Sequence, residues 1–338
     1  MSTATHVPET SRFARDQLSA DDARATLRHL GYRRLAVDSF RRFRYGDGFT
    51  SSRALGFQFV LSFLPLVIAF VGLAATIRAD KAAQALRQTL LSLTPGSSSD
   101  AVKTALTEGT ADSGSGSGAR LALVVGLVTA LAALATSMGQ IERASNRIYG
   151  VQRDRPTRAK YTRATLLMVT AGIPAMIGFL TLVAGGALVR SLADVYAWSS
   201  DVETALGWLR WPLGAVLDLL AITALFRWAP RRRQPGLSWL SVGAGTALAL
   251  WLLFTGLLAL YLSSSSSFGQ VYGPLTGIVA LLVWSQLTSV ALLLGIAFAA
   301  QLEAVRAGVT SPVAVDPELL QGAATDTRVV LTPEPPQR

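Results

Sequence analysis

Six unbroken apolar runs, each long enough to cross a bilayer, constrain this chain more than any other feature. They occupy residues 54–77, 119–140, 164–189, 208–228, 237–262 and 271–300. A hydrocarbon core about 30 Å thick needs roughly 20 apolar residues in a helix. The runs are continuous, with no alternation at period two, so they read as helices and not as barrel strands. The rest of the composition agrees. Apolar residues make up 51% of the 338 positions and charged residues only 15%, well under the roughly 25% of an ordinary soluble domain. The fold class expected is therefore all-α: a polytopic membrane protein with six transmembrane helices. The first run is too long and too late for a cleaved signal peptide.

Charge counting orients the bundle. If both termini are cytoplasmic, 24 of the 31 Lys and Arg residues fall on the inner side and seven on the outer. That asymmetry follows the positive-inside rule, and the opposite orientation would violate it at the short loops. The chain is thus expected to be multi-pass, with its basic loops on the cytoplasmic side of the membrane. The net charge of +10 then reflects juxtamembrane arginines facing anionic lipid headgroups. No aromatic residues interleave with the basic ones in a base-stacking pattern, so nucleic acid is not an expected partner.

Outside the runs, residues 1–20 and the Pro-bearing tail 303–338 read as disordered. Residues 21–53 read as a cytoplasmic or interfacial amphipathic segment, helical over 21–45. Tyr32, Leu35, Ala36, Phe40 and Phe43 would form its apolar face, and Arg33, Arg34, Arg41 and Arg42 its polar one. Such a helix could lie in the membrane interface or pack on the bundle's inner loops. Short helices are expected at 81–93 and 100–107, then a Ser-Gly linker at 113–118.

The side-chain inventory is spare. There is no cysteine, and the two histidines, His6 and His29, lie outside the apolar runs. Catalytic, metal and cofactor-binding sets are expected to be absent, and the chain does not read as an enzyme. No glycine-rich nucleotide loop occurs. Asp218 is the one formal charge deep inside a run, where it costs roughly 2.5–3.5 kcal/mol on insertion scales. It should face the bundle interior, as part of a proton, cation or substrate path or as a structural hydrogen bond. Gln58 and Gln286 are further candidates for a polar lumen, though interhelical amide bonds of about 0.6 kcal/mol are the simpler reading. Pro65 and Pro174 are candidate kinks, and broken helices can line transport sites. Gly269, Gly273 and Gly277 recur every fourth residue and are candidates for close helix packing. Glu142, Arg143, Asn146 and Arg147 sit where the second run ends, either a gate or headgroup clamp or a solvated helix end.

Several stretches carry a resemblance. They are SNRIYGVQRDRPTRAKYTRA (145–164), FRWAPRRRQPGLSWLSVGAGTALALW (226–251), LALYLSSSSSFGQVYGPLTGIVALLVWSQLTSVALLLG (258–295) and ALGFQFVLSFLPLVI (54–68). The most specific pieces are Asn146 with Tyr149, Arg227 with Pro230, and Tyr272 with Gly273. Together they resemble the YihY/BrkB family of bacterial inner-membrane proteins. That resemblance implies six spans with both termini cytoplasmic, an activity not well defined, and two inherited labels, virulence factor and a misassigned ribonuclease BN. Where the family often carries a Gly-Ala-Glu-like motif in the last span, this chain has Gly295-Ile296-Ala297. Ala297 stands at the acidic position, and Glu303 follows at the membrane edge. The expected function is that of a transporter, exporter or lipid-handling protein. A non-transporting envelope scaffold that binds partners through its basic loops is the alternative. A homo-oligomer is compatible with either, and no substrate is named by the residues.

Overall fold

A computed structural model of the chain describes residues 4–10, 19–76, 88, 117–151, 154–264 and 276–313. The helices expected at 81–93 and 100–107, the 113–118 linker, and Gly269, Tyr272 and Gly273 lie outside the described residues. Apart from an isolated bridge between Ala4 and Val313, the described residues form only helices. They are α1 (Ala20–Leu30), α2 (Tyr32–Tyr45), α3 (Gly48–Thr76), α4 (Ser117–Ile148), α5 (Thr157–Leu167), α6 (Ile173–Val183), α7 (Gly185–Tyr196), α8 (Ser200–Trp228), α9 (Leu237–Ser264) and α10 (Thr276–Arg306). A π turn, Met168–Gly172, joins α5 to α6. Among the described residues five helices are long and apolar enough to cross a membrane: Leu123–Ile148, Arg158–Val183, Ser200–Trp228, Leu237–Ser264 and Thr276–Arg306. The helix over the first apolar run, α3, has 29 residues, about 44 Å at 1.5 Å per residue.

Local chemistry sets the segment boundaries. Ser19 and Asp22 form a reciprocal capping box at the start of α1, satisfying two otherwise orphaned backbone donors. Gly31, with φ at 78°, ends α1 and starts α2. The single amphipathic segment expected over 21–45 is thus two helices. Pro174 follows the π turn with one residue between them. A prolyl nitrogen has no hydrogen to donate, and the wider turn absorbs the missing bond without breaking the span.

The spans pack in antiparallel pairs. α3 runs against α4, so closely that a Cβ on Gly126 would come 2.7 Å from the Ala69 backbone nitrogen. α9 runs against α10 through two small-residue steps, Gly243 with Ala247 and Gly295 with Ala299. A Cβ on Gly295 would sit 2.5 Å from the Ala247 Cβ, and one on Gly243 would sit 2.7 Å from the Ala299 Cβ. α6 runs against α8, and α3 and α9 both pack on α10. Phe179, Trp251 and Trp284 lock α6, α9 and α10 together, with ring centroids 6.1 and 5.2 Å from Phe179. At Gly277 nothing among the described residues lies within 4 Å of where a Cβ would be. The close approach therefore falls at Gly243 and Gly295.

The core is concentrated where the basic loops gather. Phe43, Leu55, Ile148, Tyr149, Phe226, Trp239, Leu240 and Leu302 are buried there. By contrast, α4, α8 and α9 expose large apolar side chains along their length, among them Val124, Val128, Val216, Leu220, Leu253 and Leu257. A water-soluble bundle would not leave such faces open, and lipid satisfies them.

Both ends of the chain contribute to the packing, and one expectation about α2 needs correction. Residues 4–10 pack against the bundle, with Val7 and Thr10 buried. Val7 donates its backbone N–H to the Tyr149 carbonyl at 3.1 Å, and Thr5 donates to the Pro312 carbonyl at 3.1 Å. The first residues of the expected tail, Glu303–Arg306, continue α10. Finally, Arg42 is fully buried on the Leu35–Phe43 side of α2, while Tyr32 and Phe40 are exposed. The helix is amphipathic about a different axis because Arg42 finds buried acceptors.

Candidate functional site

Two polar constellations stand out, one within the spans and one at the end where the basic loops meet. Asp218, about two-thirds of the way along α8, is 6% exposed. It faces α6, where Gly178 makes room: a Cβ there would collide with Oδ1 and lie 2.9 Å from Cγ of Asp218. The same antiparallel pairing sets Gly214 against Leu182. The carboxylate thus sits between α8 and a continuous span that carries the π turn and Pro174. The other residues singled out in the spans lie elsewhere. Gln58 donates to the Ala133 carbonyl on α4 at 3.4 Å, and Gln286 donates to the Ser52 hydroxyl on α3 at 3.2 Å. Both tie helices together near the α3–α4–α10 contact. Pro65 lies inside an uninterrupted α3.

The second constellation is a buried knot. Glu303 is 0% exposed and Arg232 2%. Arg232 Nη2 donates to Glu303 Oε1 at 2.7 Å and to the Pro8 carbonyl at 3.0 Å. Its guanidinium lies over the Tyr149 ring, 4.5 Å from the centroid. That is a stacked cation–π contact. Thr10 donates its hydroxyl to the same Glu303 oxygen at 2.8 Å. Beside this pair, Arg42 Nε donates to Gln301 Oε1 at 2.8 Å, and its Nη1 donates to the Thr5 carbonyl at 2.8 Å. Gln301 in turn donates to the Thr310 carbonyl at 3.1 Å. Burial pushes the Tyr149 phenol above its ordinary range, and the nearby Glu303 carboxylate reinforces the shift. Burial also pulls the Arg42 guanidinium down to about 10, which leaves it a cation at neutral pH.

The basic loop after α4 is fixed to the turn after α8 in the same region. Asn146 donates to Asp154 Oδ1 at 2.9 Å and accepts the Arg231 backbone N–H at 2.7 Å. Arg155 donates to the carbonyls of Ala229 and Pro230 at 3.0 and 3.1 Å and lies 3.0 Å from Glu142. Arg227 donates to the carbonyls of Gln234 and Pro235. A Cβ on Gly150, where φ is 70°, would meet the His6 backbone at 2.7 Å. Only glycine lets the N-terminal strap lie across this turn.

Sequence reasoning missed this knot. Glu142 and Asn146 are fully buried, so the end of the second run is not a solvated helix end; only Arg143 and Arg147 of that group reach solvent. Glu303, in the last turn of α10, is buried in the protein core. The signal was present in part: Asn146 with Tyr149, and Arg227 with Pro230, are the pieces that carried the resemblance, and the fold brings them together.

A family model described as "Virulence factor BrkB" matches residues 39–316, which takes in Asp218, every membrane helix and the Arg42, Tyr149, Arg232, Gln301 and Glu303 side of the knot, but not its Thr5, Pro8 and Thr10. The chain belongs to the BrkB family. Within the BrkB family, it is 24% identical over 258 residues to a ribonuclease-like protein, YfkH, of Bacillus subtilis (strain 168). That alignment covers 76% of this chain and 90% of YfkH. No solved structure matches.

Proposed function

We propose that this BrkB-family chain is a six-span protein of the bacterial cytoplasmic membrane, with α3 as the remaining span and both termini inside. We further propose that it moves an amphiphilic or lipidic solute and does not catalyse a reaction on it. The orientation is supported by the basic loops, which converge on one end of the bundle. Tyr196, Trp198, Trp208 and Trp211 lie exposed around the opposite end, where an aromatic belt would sit. The observation that carries the transport reading is Asp218. An ionisable group inside a span is expensive, and this one lies against a span that carries a π turn and a proline. Both devices recur where membrane helices move or bind solute. A nuclease reading, which the name of the Bacillus relative would suggest, draws little support. Among the described residues no three His, Cys, Asp or Glu side chains come together, as metal or acid–base cleavage of RNA would need.

Reconstituted full-length protein tests the reading. Proteoliposomes carrying a pH-sensitive dye and a fluorescent phosphatidylglycerol should show proton entry, lipid redistribution or both above protein-free vesicles. Asp218→Asn should abolish the movement while eluting as a folded particle, and Asp218→Glu should retain part of it. Background rates for both probes with the parent chain, or parent rates with Asp218→Asn, would defeat the proposal.

A further inference from the structure

We propose that the exposed face of α2 is a binding site for anionic phospholipid of the cytoplasmic leaflet. The lipid phosphate would be held among Arg33, Arg34 and Arg41, and its glycerol and upper acyl region laid along Val37, Phe40 and Tyr45. One face of α2, with Leu35, Ser39, Arg42 and Phe43, is buried, and the helix packs on α10. The other face leaves Tyr32 68% exposed and Phe40 47%, among the exposed guanidinium groups of Arg33, Arg34, Arg41 and Arg44. Large apolar and aromatic side chains interleaved with arginines suit a headgroup layer and not bulk water.

Two grooves flank this face. One, of about 770 Å³, is lined by Arg33, Arg34 and Arg41 together with the hydroxyl-bearing Thr310 and Ser311. The other, of about 460 Å³, is lined by Val37, Phe40, Arg44 and Tyr45. They share Val37 and Arg41, so a charged slot and an apolar slot adjoin along one helix, as the two halves of a phospholipid do. Asp38 is the one acid on α2; it lies 3.9 Å from Arg34 and 3.7 Å from Arg41 and offsets one of the four exposed positive charges. Guanidinium forks suit phosphate oxygens in a bidentate way.

The helix is also at the right depth. Phe40 and Phe43 meet Phe49 edge-on, at 6.1 and 4.9 Å between centroids. Phe49 lies in the first turn of α3, five residues before the apolar run begins at position 54. Five residues of helix span about 7.5 Å, which is the thickness of a headgroup layer next to the hydrocarbon. The site rests on the inward placement of the N-terminus proposed above and is independent of transport.

The full chain in nanodiscs of equal phosphatidylcholine and phosphatidylglycerol provides the test. Lipids retained after release into detergent are counted by native mass spectrometry. Three arginines acting together near an anionic surface set a preference for phosphatidylglycerol of about tenfold or more. The triple variant Arg33→Gln/Arg34→Gln/Arg41→Gln should bring the ratio close to one, while Arg158→Gln, at an exposed cation on another helix, should leave it unchanged. Because the chain has no cysteine, Val37→Cys can carry a single fluorophore, which nitroxide-labelled phosphatidylglycerol should quench. Equal retention of both lipids, a preference that survives the triple variant, or an unquenched label would overturn the site. Displacement of the lipid by millimolar inorganic phosphate would assign the arginines to a soluble anion and overturn it too. A lipid preference without solute flux would remove the transport reading and leave this one standing.

Discussion

Replacing Glu303 by glutamine tests whether the inner knot holds the bundle together. The carboxylate is fully buried, 2.7 Å from Arg232, and accepts a second hydrogen bond from Thr10. Glutamine keeps the shape and can still accept from Thr10. What it removes is the charge opposite a guanidinium that is itself only 2% exposed. Breaking a buried pair from one side costs about 3–5 kcal/mol, because the remaining charge stays desolvated. The Tyr149 ring, 4.5 Å from that guanidinium, supplies roughly 0.5–2 kcal/mol of residual stabilisation. The loss should therefore fall near the lower bound, about 3 kcal/mol. Arg232→Met alone leaves a buried carboxylate and should cost at least as much. The double variant Glu303→Leu/Arg232→Met removes both charges and should cost less than either single change. Unfolding of the detergent-solubilised chain with increasing dodecyl sulfate, followed by tryptophan fluorescence, measures all four proteins. Buried Trp239 lies in the same core and reports on it. A loss under about 0.5 kcal/mol for Glu303→Gln, or single-variant losses that simply add in the double, would refute the reasoning.

Two other perturbations have definite signs. Tyr149 is held protonated above its usual range by burial and by Glu303. A phenol with a raised folded pKa contributes fully below about pH 10, its unfolded value, and loses that contribution as pH climbs toward the folded one. The Tyr149 contribution, read as the stability difference between the parent chain and Tyr149→Phe, should thus fall above about pH 10, and absorbance at 295 nm should show one tyrosine ionising only on unfolding, an effect Tyr149→Phe removes. Gly295→Ala would drive a methyl to 2.5 Å from the Ala247 Cβ and 3.0 Å from the Gly243 carbonyl oxygen, neither of which can swing away. It should cost about 1–3 kcal/mol in the same unfolding assay. Gly277→Ala, with open space at its Cβ among the described residues, should be neutral, and equal losses at the two positions would contradict the packing described.

What could be read in advance follows from the range of the physics involved. A span announces itself because about 20 apolar residues must be contiguous, so five runs reappear as membrane-competent helices. The cost of a charge in hydrocarbon likewise singles out Asp218 from its neighbours alone. The knot is different. Thr10 and Glu303 are 293 positions apart, and Arg42 and Gln301 are 259 apart; no periodicity links them. Hydropathy assigns a guanidinium to water, so Arg42 falls on the solvated side of α2 until its carbonyl and amide acceptors are seen. The packing glycines were overlooked for a simpler reason. Gly243-x-x-x-Ala247 and Gly295-x-x-x-Ala299 have the same spacing as a glycine pair, with alanine as the second small residue.

The placement of the arginine-rich loops inside the cell is tested most directly by single cysteines in this cysteine-free chain. Ser199→Cys, between α7 and α8, should react in intact cells with a maleimide that cannot cross membranes. Arg158→Cys, at the start of α5, should react only after the membrane is opened. The reverse pattern, or labelling of both positions from outside, would contradict the account.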